Sequence, residues 1–183
     1  MRSSILIYAA IAAVVGGTVW AQMQGQSGAP LSPPADTSVT IAGKALTVKY
    51  SAPSVRGRKM FGEGGIISKD STYPVWRVGA NTATAFHTDA DLAIKGLAVP
   101  KGDYSLYAVV NVTPWQLILN KQTGQSGMTY NQAQDLGRVP MDMSKPPAPV
   151  EKCKITLSST GANSGKLQVE FENVIASVPF TVK

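Results

Sequence analysis

"SVTIAGKALTVKYS", residues 38–51, decides the fold. Its apolar residues fall at every second position, Val39 and Ile41 and then Leu46, Val48 and Tyr50. That is the period of a half-buried strand. Gly43-Lys44 interrupts the alternation midway, so the stretch predicts two antiparallel strands joined by a tight turn. The same design recurs in DLAIKGLAV (91–99) around Lys95-Gly96. GDYSLYAVVN (102–111) and WQLILN (115–120) form another pair across a Val-Thr-Pro turn. Alternation returns at the end in EKCKITLS (151–158), GKLQVEFENV (165–174) and IASVPFTVK (175–183).

No long stretch repeats its apolar residues with a helical period. The expected fold is all-β: a single antiparallel β-sandwich, jelly-roll-like or related, with long loops and roughly 8 to 10 strands. Two segments break the regularity. Residues 53–74 (PSVRGRKMFGEGGIISKDSTYP) make a long, Gly-rich connection of the kind that is functional or mobile. Residues 121–149 are polar and rich in Gly and Pro, with one strand expected near 128–130 and a short one near 136–141.

The chain begins MRSSILIYAAIAAVVGGTVWAQ. A positive start precedes an apolar run of about 16 residues, short for the roughly 20 of a spanning helix. Small residues close the run, so residues 1–21 read as a secretory signal peptide cut after Ala21. Residues 22–36 are Gln, Gly, Ser and Pro-rich and read as a flexible mature N-terminus, leaving 37–183 as one sandwich domain. The expected product is periplasmic or secreted, with no membrane span after cleavage. Cys153 is the only cysteine, so no internal disulfide forms, and its place in KCKITL reads as a small buried apolar residue.

The net charge is +6, one less once Arg2 leaves with the leader. The lysines are scattered, and the one cluster, RGRK at 56–59, lacks interleaved aromatics, so no nucleic-acid partner is expected.

PVWRVGANTATAFHTDADLAI (74–94) carries the most chemistry-bearing residues. In one reading Arg77 and Asn81 rim a pocket, the guanidinium fork holding a carboxylate or phosphate. In the other, Arg77 pairs internally with a carboxylate and Asn81 ties down a turn. Further on, His87, Asp89 and Asp91 would share one face of a continuous strand, and a His with two carboxylates can hold a metal or serve acid–base chemistry. Against this, Asp is depleted in strands, no second His exists to complete a zinc motif, and no Gly-x-Ser-x-Gly supplies a nucleophile. Glu63, Asp89, Asp91 and Asp103 could converge in space, but nothing in their spacing selects two of them. Glycines near Arg58, Lys59 and Glu63 lack the P-loop and dinucleotide spacings, and no cofactor is evident. Tyr104, Tyr107, Trp115 and Phe171 sit in alternating strands and read as packing rather than as a sugar-stacking platform.

YSAPSVRGRKMFG (50–62), VWRVGANTAT (75–84), VPKGDYSLYAVV (99–110), WQLILNKQTGQSG (115–127) and VEFENVIASVPFTVK (169–183) together resemble a bacterial family defined as domain of unknown function 2911. The resemblance implies an exported, β-rich protein and assigns no activity. Members often carry an arginine at the place of Ala52 and an aromatic at the place of Ser126, so a family pocket using either would lack a contact here.

The sequence therefore points to a non-enzymatic, exported β-sandwich that binds a small ligand, a glycan or an envelope partner. Its tentative ligand-binding residues are Arg77, Asn81, Trp76 and Arg58, with no catalytic residue assigned. The rival is a hydrolase using an Asp/Glu/His site, with or without a metal at His87, Asp89 and Asp91.

Overall fold

The computed structural model describes residues 30–183. The expected signal peptide at 1–21 and the first part of the expected flexible segment lie outside them. Among the described residues no helix is long and apolar enough to cross a membrane.

Two antiparallel sheets pack face to face. The first joins β1 (Pro34–Ile41), β2 (Lys44–Ser51), β4 (Thr84–Thr88), β7 (Gly102–Val109), β8 (Gln116–Asn120) and β9 (Asp135–Pro140) in that order, with β3 (Val75–Trp76) also beside β7. The second joins β11 (Val150–Gly161), β12 (Ser164–Glu172), β13 (Val174–Val182), β5 (Leu92–Ile94) and β6 (Leu97–Val99), with β10 (Asp142–Ser144) also beside β13. The all-β sandwich read from the sequence is what forms. Among the described residues it has 13 strands rather than roughly 8 to 10, and β3 and β10, with only two or three residues each, leave little period to read.

Alternation fills the core. Leu46 and Val48 of β2, Phe86 of β4 and Leu106 of β7 face Ile155, Leu157, Leu167, Val169, Ala176 and Val178 of the opposing sheet. At Gly165 the packing leaves no room for a side chain: a Cβ there would collide with Phe180 Cζ and lie 2.7 Å from Ile41 Cδ1 of the opposing sheet. β1 begins at Pro34, so Pro34 to Asp36 belong to a strand rather than to a flexible tail.

Residues 121–134 fold back over the outer face of the first sheet. Tyr130 packs on Tyr107 with ring centres 5.0 Å apart, closing a second apolar cluster with Val75, Ala83, Val109 and Ile118. This cover explains why β7 and β8 are buried on both faces. It also displaces the strand expected near 128–130. There the backbone turns, with Thr129 N–H donating to Ser126 O at 2.9 Å, and Tyr130 OH donates to Asp135 Oδ2 at 2.7 Å. The short strand expected near 136–141 is β9.

Candidate functional site

On the uncovered part of that outer face, β2, β4 and β7 place their outward residues in two rows. Register pairs Thr47 with His87 and His87 with Asp103, and pairs Lys49 with Ala85 and Ala85 with Ser105. Ala85 is the small member of the second row, and the face sinks there. Thr123 of the covering segment stands as a wall, held in place by Gln125 Nε2, which donates to Tyr107 OH at 2.9 Å. The result is an open groove of about 460 Å³, within the size range of small-molecule sites. Thr47, Lys49, Ala85, His87, Asp103 and Thr123 line it. Phe86 and Tyr104 contribute little beyond backbone, because their rings point into the core.

His87 is held from both sides. Its Nδ1 lies 2.8 Å from Asp103 Oδ1 and its Nε2 lies 3.0 Å from Asp89 Oδ1. The bond to Asp89, and then the bond to Asp103, raise the pKa of His87 above its ordinary value. Asp89 is lowered in turn, first by His87 and then by the backbone N–H of Ala45. Both ring nitrogens donate to the carboxylates when the imidazole is protonated, and in that state neither can accept a proton from water or a substrate hydroxyl, as a general base must. The trio latches the start of β7 to the turn after β4.

Its members do not converge on a point. The two carboxylates flank the ring on opposite sides, and Asp91 turns away to accept from Lys101 N–H at 2.8 Å. Among the described residues no group of three or more His, Cys, Asp or Glu is arranged to hold a metal ion.

Trp76, Arg77 and Arg58 do come together, around a smaller pocket of about 160 Å³ that Asp70 and Phe171 also line. Trp76 is 2 % exposed, and its indole N–H donates to Gly79 O at 3.1 Å. Phe61, from the Gly-rich loop, fits against Trp76, Trp115 and Phe171 with ring centres 4.7 to 5.9 Å away. That long connection is therefore pinned to the core at Phe61. Arg58 donates to Val55 O and Ser54 O within the same loop. Arg77 Nη1 lies 3.3 Å from Asp70 Oδ2 and also contacts Met128 Sδ. Asn81 is outside this pocket. It has φ of 60°, and its carbonyl accepts from Gly127 N–H at 2.9 Å. Arg77 and Asn81 thus spend much of their bonding on holding the covering segment against the sheet.

Thr47, Lys49, Ala85 and Thr123 were not singled out by the sequence. Their signal was parity alone: each of the first three occupies a polar or small outward position of an alternating strand. Another unforeseen cluster holds the covering segment down, with Arg138 reaching Tyr130 OH at 2.8 Å and Asp135 Oδ2 at 2.9 Å.

The family model described as "Protein of unknown function (DUF2911)" matches residues 32–180. No curated protein and no solved structure matches the chain.

Proposed function

The chain belongs to the DUF2911 family, and we propose that it works as a non-enzymatic, extracytoplasmic binding module whose ligand lies in the groove over Ala85. One observation carries this reading: a concavity of about 460 Å³ in which Lys49 has no ion-pair partner among the described residues. The wall and the His87 latch give the groove a preformed shape, which lowers the ordering cost of binding. The leader-like start of the chain supports export. A hydrolytic role is disfavoured by the engagement of both His87 ring nitrogens. An aromatic-stacked glycan is disfavoured because Tyr107, the aromatic on this face in β7, is completely covered.

Thermal-shift screening of the purified protein against amino acids, short peptides, organic acids, sugars and divalent metals tests the proposal. A ligand at 100 times its Kd adds about 2.7 kcal/mol to the folded state. The response should vanish in Ala85→Trp, which fills the groove from an exposed position and leaves the unliganded Tm nearly unchanged. A response that survives Ala85→Trp, or none across the panel, overturns it.

A further inference from the structure

The groove is electrically two-ended. Lys49 sits on β2 in the row of Ala85, while Asp103 sits on β7 in the row of His87. Two strand spacings and two residues of rise separate their Cα atoms by about 12 Å on the diagonal. Ala85 lies between them as an uncharged floor, with Thr47 and Thr123 hydroxyls at the sides.

The two ends differ in sign and both are available. Lys49 is exposed. Its register partner on β1 is Asp36, but no ion pair joins them. The Asp103 side chain is 72 % exposed and uses Oδ1 on His87, leaving Oδ2 to accept from a ligand. The His87 imidazolium offers one positive charge against the two carboxylates of Asp89 and Asp103, so this end of the groove keeps a net negative charge.

Resting on the reading of the groove as the ligand site, we infer that it takes a dipolar ligand, an extended di- or tripeptide. The peptide's ammonium group would lie at Asp103 and its carboxylate at Lys49. Extended chain advances at most about 3.3 to 3.6 Å per residue, so two or three residues cover the gap left once both side chains lean inward. The threonine hydroxyls each offer a donor and an acceptor, which suits the peptide groups between the ends. A ligand of one sign would leave one end of the groove uncompensated, and an apolar one would leave both.

The test is a ¹⁵N NMR titration of the full chain with tri-alanine, N-acetyl-tri-alanine, tri-alanine amide and maltose. Tri-alanine should shift the amide signals of Thr47, Ala85 and Thr123. Blocking either terminus should weaken binding about tenfold or more, as loss of a charge-assisted hydrogen bond does. Lys49→Gln and Asp103→Asn should do the same. Asp89→Asn loosens the His87 latch without lining the groove, so it should weaken tri-alanine binding by less than Asp103→Asn does. If Asp89→Asn weakens binding as much as Asp103→Asn, Asp103 acts only through the latch and the inference fails. Blocked peptides or maltose binding as well as tri-alanine would overturn the dipolar ligand while leaving the groove as a site. If no probe shifts the groove amides, the inference and the reading beneath it both fall.

Discussion

Arg77 lies across Gly127: a Cβ at residue 127 would collide with Arg77 Cδ and come within 2.8 Å of Asn81 O. The covering segment can therefore close onto the sheet only where it carries no side chain. Gly127→Ala is expected to destabilise the protein by about 1–3 kcal/mol, the usual cost of overpacking. Arg77→Ala in the same background should return part of that loss, since it removes one of the two collisions. Urea denaturation of the four proteins in the double-mutant cycle measures the coupling. Identical costs for Gly127→Ala in both backgrounds would show that the two residues do not press on each other.

The His87 latch has a pH window with two edges. A raised histidine pKa contributes stability that is fully present below the unfolded value of about 6.5. That contribution is lost as pH rises through the folded value. The lowered pKa of Asp89 contributes stability present above the unfolded carboxylate value of about 3.9 and lost as pH falls through the folded one. The latch is thus strongest between these limits. His87 is the only histidine, so its ring proton gives a single NMR signal to titrate. Its midpoint should lie above 6.5 and fall toward it in Asp89→Asn, the larger of the two contributions. A wild-type midpoint at or below 6.5 would mean that the latch does not hold in solution.

Phe61 ties the Gly-rich loop to the core through three aromatic neighbours. Phe61→Ala is expected to cost about 3 kcal/mol, the low end for a large aromatic because the ring is only partly buried. Amide exchange should speed up at Gly65, Ile66 and Ile67, whose N–H groups donate to Gly62, Lys59 and Met60. Unchanged protection at these amides would show that the loop is held by something other than the Phe61 ring.

How much of this could be read beforehand follows from what is local. The hairpins at 38–51 and 91–99 carry their strands and their turns within one short window, and both form, the first turning on Ala42-Gly43, one residue before the expected Gly43-Lys44. The groove depends on β2 lying beside β4, with β3 and the pinned loop between them in sequence, and no local pattern encodes that pairing. His87, Asp89 and Asp91 alternate as expected, but the chain turns after Thr88. Asp103 on the neighbouring strand therefore takes the second position on the imidazole, while Asp91 binds the backbone of Lys101. The misread strand at 128–130 has the same origin. Tyr130 is apolar enough to suggest a ladder, but its partner is the face of Tyr107, a tertiary contact that alternation does not report.

Cys153 offers a last check, on the edge of the sandwich. It is 2 % exposed, and burial pushes its thiol up to about 12. Lys152 and Lys154 alternate to the other face of β11, so they do not offset that burial. A shallow hollow of about 270 Å³ runs past the residue, which makes access a real question. The thiolate is the reactive form, so at pH 8 the native protein should react with a disulfide reagent far more slowly than the same protein in denaturant. Cys153→Ala should also be tolerated better than Cys153→Ser, because a buried hydroxyl without a partner costs about 1–3 kcal/mol. Native labelling at the denatured rate, or a serine variant as stable as the alanine one, would show that the hollow opens onto the sulfur and that this edge of the sandwich breathes.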